Sequence, residues 1–153
     1  MNFDSRLSGV LHLLLHLMES RQAIPSERLA TAMNSNPVVV RRTMAGLRDA
    51  GLVTSEKGHG GGWRLACDPA RTTLLDVYRA LGSPTLFAVG NRSEHPTCLI
   101  EQAVNAALDD TLQKAGRLIT ARLQTLTLAA LASDFESRRQ LSLCAPQENT
   151  HAL

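Results

Sequence analysis

The feature that most constrains the fold of this chain is a change in the spacing of its apolar residues at Gly51. Before this glycine, apolar residues recur at steps of three and four, which is typical of the buried side of an α-helix. After it, residues 52–57 are rich in strand formers and residues 63–65 alternate between apolar and polar. Four of the five residues between these two segments, 58–62, are glycine. The sequence therefore predicts helices followed by a β-hairpin with a glycine-rich tip.

Three short helices are predicted before the hairpin. The first covers 7–18, the second begins at Ser26 as its N-cap, and the third runs over 37–50. Asn36 is predicted to cap the third helix, because an asparagine side chain accepts backbone hydrogen bonds well. The proline that follows it fits the first helical position, where a backbone N–H would have no partner within the helix. The short connection between the second and third helices predicts a helix-turn-helix. The hairpin makes it a winged helix-turn-helix.

The second half of the chain is also predicted to be helical, so the expected fold class is mainly α with a small two-stranded β wing. A long helix after Thr97 carries an apolar stripe that the small N-terminal domain is too short to cover, and a second copy of the chain is the natural partner for it. The expected division is a winged helix-turn-helix domain over 1–81, a loop over 82–97, a dimerisation helix region over 98–133 and a C-terminal tail over 134–153.

Length and composition indicate one soluble globular domain. The chain has 153 residues, of which 44% are hydrophobic and 20% charged. Stretches without a charged residue reach only 12 residues, whereas a membrane span needs about 18 apolar ones, and no cleavable leader is evident. Five aromatic residues are too few for a platform that stacks single-stranded nucleic acid. Three scattered cysteines do not form a disulfide scaffold, so a cytoplasmic protein is expected.

The basic residues are concentrated where a helix-turn-helix protein meets DNA. Residues 1–65 carry a net charge of +3 and residues 66–153 a net charge of −1. An arginine early in the third helix can bind a guanine edge or a phosphate, and an exposed valine can contact a thymine methyl group. The glycine-rich hairpin suits a wing lying along phosphates or a minor groove. The candidate DNA-binding residues are Ser26, Asn36, Val38, Arg41, Arg42, Arg48, Lys57, His59 and Arg64.

Each of these features also has a simpler interpretation. Arg41 and Arg42 can be a solvated pair on an exposed helix face, and the hairpin can be a plain tight turn. A phosphate-binding loop is excluded at 58–62, because neither a Lys-Ser/Thr pair nor a helix follows it.

Four segments of the chain resemble the Rrf2 family of bacterial transcription regulators. These are NPVVVRR at 36–42, LRDAGLV at 47–53, GHGGGWRL at 58–65 and LLDVYRA at 74–80. The order and spacing match over about residues 5–130. The resemblance implies a homodimeric winged-helix repressor with a long dimerisation helix that binds a palindromic operator in double-stranded DNA.

The cysteines depart from the pattern of the best-known members, which carry three closely spaced cysteines before the dimerisation helix and bind an iron–sulfur cluster. Here 30 residues separate Cys67 from Cys98 and 45 separate Cys98 from Cys144. One loop cysteine cannot hold a cluster that takes three or four protein ligands. The chain therefore resembles the cluster-free branch, and no cofactor or metal is expected.

Cys98 is a candidate redox-sensing residue, because it stands at a predicted helix N-terminus, where a thiolate is stabilised. The alternative is a small, half-buried cysteine without a regulatory role. Cys67 and Cys144 are expected to be inert. His12 and His16 have the i, i+4 spacing of a metal-binding pair, but no third ligand is suggested nearby, and structural or partly exposed histidines are expected.

The sequence favours a DNA-binding transcriptional regulator, most simply a repressor, over an enzyme. It contains no nucleophile elbow, no HExxH motif and no paired carboxylates with a candidate pocket. The alternative is a winged-helix module that binds a protein partner and has only vestigial contact with DNA. The arginines expected on the DNA side favour the regulator, because an interaction module has no need of them together.

Overall fold

The computed structural model of the chain describes residues 5–87, 91 and 96–144. Within these residues it is mainly helical with one two-stranded antiparallel sheet, so the predicted fold class is confirmed. The elements are α1 (Arg6–Glu19), α2 (Ser26–Ala32), α3 (Pro37–Asp49), β1 (Val53–Glu56), β2 (Gly62–Leu65), α4 (Leu74–Ala80), α5 (Leu99–Thr125) and α6 (Leu128–Cys144).

The core of the winged helix is formed by the apolar sides of its helices, as their spacing predicts. The buried residues of α1 are Val10, Leu13, Leu14 and Leu17. Those of α3 are Val40, Met44 and Leu47. Because these side chains are almost fully buried, they fix which side of α3 faces outward.

The turn between α2 and α3 is built by asparagines. Asn34 has a positive φ of 46°, a conformation that asparagine adopts more readily than most residues. The Asn36 side chain accepts a hydrogen bond of 2.8 Å from the Val38 backbone N–H, and Pro37 opens the helix. The predicted cap of α3 is therefore confirmed.

The prediction that Ser26 caps α2 is wrong. Pro25 is the N-cap residue, and Ser26 is the first residue of the helix and is buried. Its hydroxyl accepts a hydrogen bond of 3.0 Å from the indole N–H of Trp63. The reason is that Ile24 and Trp63 form an antiparallel bridge, which brings the second wing strand against the start of α2.

The wing consists of β1 and β2, paired from Val53 opposite Leu65 to Glu56 opposite Gly62. Gly62 lies so close to the preceding α1–α2 segment that a Cβ atom would be 2.5 Å from the carbonyl of Ile24. Only glycine therefore allows this close approach of the two backbones. The hairpin is thereby attached to the helical part as well as to itself.

The C-terminal helices are joined to the winged helix by backbone hydrogen bonds at the α5–α6 turn. The N–H of Leu74 donates to the Leu126 carbonyl at 2.8 Å, and the N–H of Leu128 donates to the Thr72 carbonyl at 3.0 Å. Leu128 is completely buried in the core. The end of α5 is thus fixed next to the start of α4.

Most of α5 is exposed in the single chain. Its 27 residues include one buried residue, Asn105, and it leaves several large apolar side chains on the surface. These are Leu99, Ile100, Val104, Leu118 and Ile119. The long C-terminal helix of the prediction is present, and its apolar surface is not covered by the winged helix.

The C-terminal region differs from the predicted tail over 134–153, because α6 remains helical to Cys144. This segment has ion pairs one turn apart, Arg138 with Asp134 at 2.7 Å and Arg139 with Glu136 at 2.7 Å, which stabilise an exposed helix without an apolar stripe. The prediction depended on apolar periodicity and so ended the helical region too early. Residues 145–153 lie outside the described part, as do 88–90 and 92–95 of the predicted loop.

Candidate nucleic-acid interface

The first turn and a half of α3 presents a compact exposed surface. Val38 and Val39 are 65% and 56% exposed, although both are apolar. Arg41 and Arg42 are also exposed, whereas the residue between these two pairs, Val40, points into the core. We call Val38, Val39, Arg41 and Arg42 the α3 surface; it combines side chains able to contact thymine methyl groups, guanine edges and phosphates.

Arg41 is held by a carboxylate from the preceding helix. Its guanidinium donates a hydrogen bond to Oε1 of Glu27 and forms an ion pair with it. The pKa of Glu27 is lowered, first by a hydrogen bond with its own backbone N–H and then by Arg41. Glu27 therefore stays charged near neutral pH and orients Arg41. In the sequence, the only signal for this role of Glu27 is its place in the first turn of α2, the helix that packs on α3.

Arg48 lies apart from the α3 surface. It is near the C-terminal end of α3, about 10 Å along the helix axis from Arg41 at the usual rise per residue. Its guanidinium pairs with the neighbouring Asp49 at 3.1 Å. The structure therefore does not bring Arg48 together with the other two arginines.

The wing separates its predicted DNA-binding residues into two groups. Lys57 and His59 are exposed in the hairpin tip. Arg64 instead donates a hydrogen bond of 2.9 Å from Nη1 to the backbone carbonyl of Arg21, and it pairs with Glu56 across the hairpin. Arg64 thus attaches the wing to the segment after α1 and holds the wing in place.

Ser26 and Asn36 have structural roles in this region. Ser26 is buried and accepts a hydrogen bond from the indole N–H of Trp63, so the expectation that it binds DNA is wrong. Asn36 is exposed, and its side-chain oxygen is engaged in capping α3. It fixes where the α3 surface begins.

Cys98 is exposed and is the N-cap residue of α5. Hydrogen bonding to the backbone N–H groups of Glu101 and then Ile100 lowers the pKa of its thiol. Cys67 is partly buried and packs against the core. The side chain of Cys144 lies outside the described residues, as does His95, which precedes Cys98 by three positions in the sequence.

An iron–sulfur cluster does not fit these residues. Cys98 is at the start of α5, while Cys67 packs into the winged helix. Among the described residues, no three His, Cys, Asp or Glu side chains come together as ligands of a metal ion. His12 and His16 do meet as a pair, with their Nε2 atoms 3.0 Å apart.

The same part of the chain contains no helix long and apolar enough to span a membrane.

Comparison with known proteins gives consistent matches over most of the chain. The Rrf2 family model, described as an iron-dependent transcriptional regulator, matches residues 3–134. A Bacillus subtilis protein named as an HTH-type transcriptional regulator, YwnA, is 36% identical over 126 residues, which are 82% of this chain and 92% of that protein.

Two solved structures are similar in sequence and in fold. A crystal structure of a protein described as DNA-binding is 33% identical, with a TM-score of 0.65, and the match covers 83% of this chain and 98% of the other. A transcriptional regulator from Lactobacillus plantarum is 27% identical, with a TM-score of 0.71, and the match covers 90% of this chain and 98% of the other.

Proposed function

The chain belongs to the Rrf2 family of transcriptional regulators, and from this we propose that it is a homodimeric repressor that binds a palindromic operator in double-stranded DNA. It is a regulator and not an enzyme. The observation that carries the proposal is the α3 surface, where two valines and two arginines are exposed at the start of the second helix of a helix-turn-helix. That is the part of such a motif that enters the major groove.

In the proposed complex, Arg41 and Arg42 supply contacts to guanine edges or phosphates, and Val38 contacts a thymine methyl group. Lys57 and His59 at the wing tip lie along the neighbouring phosphates or minor groove. Arg64 contributes indirectly, because its bond to the Arg21 carbonyl fixes the wing. Asn36 contributes by fixing the start of α3.

The proposed dimer uses the apolar residues of α5. Val104 and Leu118 are 51% and 74% exposed in the single chain. If two copies of α5 pack together around a two-fold axis, both side chains of each copy become buried in the interface. Two α3 helices related by that axis would then read two half-sites about 34 Å apart, which is the reason to expect a palindrome. A protein that acts in this way on bacterial DNA works in the cytoplasm.

We further propose that regulation does not use an iron–sulfur cluster. Cluster-binding requires three or four protein ligands, and the start of α5 offers one cysteine. If regulation acts through a thiol, Cys98 is the candidate, because it is exposed and its pKa is lowered. Attack of its thiolate on hydrogen peroxide would form an S–O bond, break the O–O bond and release hydroxide, which takes a proton from solvent to become water.

The α3 surface is tested by substitution. Operator fragments are first selected from bacterial genomic DNA with the full-length protein, and their affinity is then measured by fluorescence anisotropy. We expect Arg41→Ala and Arg42→Ala each to weaken binding, by about 1–3 kcal/mol where the arginine reads a base. Arg138→Ala, which removes an ion-paired arginine from α6, is the control and leaves the affinity unchanged.

If both α3 variants bind the selected fragment as tightly as the unaltered protein, α3 is not the recognition helix. Failure to select any fragment would favour the alternative of a protein-interaction module. The repressor role is tested separately by transcription in vitro from a promoter that contains the selected fragment, where added protein should lower the yield of transcript.

A further inference from the structure

Two histidines on α1 face each other on the surface of the molecule. His12 is exposed and His16, one helical turn later, is partly buried. Their Nε2 atoms are 3.0 Å apart, and their ring centroids are 4.8 Å apart with a tilt of 32° between the rings. The Nε2 nitrogens of the two rings therefore face each other across a hydrogen bond, and a metal ion that takes the place of the shared proton would meet both of them.

This arrangement has the dimensions of a chelate. A neutral imidazole has one nitrogen with a free lone pair, and metal–nitrogen distances in proteins are about 2.0–2.1 Å. Two such nitrogens at right angles around one ion would be about 2.9 Å apart, and at the tetrahedral angle about 3.3 Å apart. The observed 3.0 Å corresponds to neighbouring positions of a square-planar or octahedral ion.

We propose that His12 and His16 together bind one divalent transition-metal ion of the copper(II) or nickel(II) type through their Nε2 atoms. Imidazole suits these ions, their tetragonal geometry fits the observed separation, and they stand high in the affinity order of divalent ions. Water completes the coordination on the exposed side of His12. A structural zinc site is a poorer fit, because it takes four protein ligands and, in the described part of the chain, no third candidate ligand joins the pair.

Binding at this pair would stabilise the folded protein. The ion would bridge one turn of α1, whose opposite side contributes Val10, Leu14 and Leu17 to the core. The unfolded chain does not hold the two rings together, so the ion binds the folded state more tightly and raises the melting temperature. This inference is independent of the proposed DNA binding.

The test uses the full-length protein and Ni²⁺, which does not oxidise the free thiols. Isothermal titration should give one site per chain for the unaltered protein, and Mg²⁺ should give none, because it prefers oxygen ligands. His12→Gln and His16→Gln should each weaken Ni²⁺ binding at least tenfold, since even the loss of a residue that only supports a ligand costs about 10–100-fold. His59→Gln, at an exposed histidine of the wing, is the matched control and should bind Ni²⁺ unchanged.

Thermal melts give a second measurement on the same variants. Ni²⁺ should raise the melting temperature of the unaltered protein and of His59→Gln, and should leave that of His12→Gln where it is. His12 is exposed, so this substitution preserves the fold even if His16→Gln does not. The proposal is overturned if the unaltered protein does not bind Ni²⁺ at millimolar concentration, or if His12→Gln binds it as tightly as the unaltered protein.

Discussion

The ion pair between Glu27 and Arg41 places a negative charge beside the α3 surface. Both side chains are more than half exposed, so the pair contributes little to stability in water. Its effect on DNA binding is expected to be larger. The carboxylate limits the positions that the Arg41 guanidinium can take. It also repels DNA phosphates when the DNA binds in a different alignment from that of the specific complex.

Glu27→Gln should therefore reduce discrimination between DNA sequences. We expect the variant to bind random DNA more tightly than the unaltered protein, while its preference for the selected fragment falls and its melting temperature barely changes. Anisotropy titrations with both DNAs at one salt concentration measure this ratio. Glu136→Gln, which breaks a comparable ion pair on α6, is the control. An unchanged ratio in Glu27→Gln would show that the pair plays no part in sequence reading.

The hydrogen bond from Trp63 to Ser26 is expected to matter for stability. Both residues are buried, and Ser26→Ala would leave the indole N–H without its acceptor. We expect a loss of about 1–3 kcal/mol in the free energy of unfolding, measured by urea denaturation. Ser55→Ala, at an exposed serine of β1, should change it by less than about 0.5 kcal/mol. Equal stability of the two variants would contradict the assigned role of Ser26.

Among the structural elements, α4 has the clearest dependence on pH. Thr73 and Asp76 cap each other in a reciprocal box, and hydrogen bonds from the Thr73 side chain and then its backbone lower the pKa of Asp76. Because the pKa is lower in the folded state, the unfolded state binds more protons as the pH falls. The stabilisation is complete above the ordinary aspartate pKa of about 3.9 and is lost as the pH falls through the lowered value.

Asp76→Asn should remove this part of the pH dependence. Below about pH 4, the melting temperature of the unaltered protein should fall more steeply with decreasing pH than that of the variant. Thermal unfolding followed by circular dichroism measures this difference. Asp110→Asn, at an exposed aspartate of α5, should retain the steep loss. If the two aspartate variants have the same acid profile, the capping box does not contribute.

The exposed apolar residues of α5 determine the expected assembly. Leu118 is 74% exposed in the single chain, so a charge there does not disturb the core of one protomer. Leu118→Glu should therefore yield a folded monomer or a much weaker dimer by light scattering at micromolar concentration. Gln113→Glu, which adds the same charge at an exposed polar position of α5, should remain dimeric. If the unaltered protein is monomeric in the same measurement, the proposed dimer is wrong.

For the whole molecule, apolar periodicity and turn residues were sufficient to predict the winged helix-turn-helix, the cap at Asn36 and the long helix after residue 97. They were not sufficient for contacts between distant segments. Nothing local shows that Trp63 donates to Ser26, that Glu27 pairs with Arg41, or that Arg64 bonds to the Arg21 carbonyl. The helix to Cys144 was missed because ion pairs along it, and not an apolar stripe, support it.

The backbone hydrogen bonds between Leu74 and Leu126 and between Thr72 and Leu128 fix the angle at which α5 leaves the winged helix. In a dimer assembled on α5, each inserted residue would rotate the interface by about 100° and shift it by about 1.5 Å relative to the DNA-binding domain. One inserted residue would turn the two α3 helices out of phase with the groove. Seven would almost restore the phase and lengthen the arm by about 10 Å. In such a dimer, the half-site spacing that the protein accepts would therefore depend on the length of α5 as well as on the residues that contact DNA.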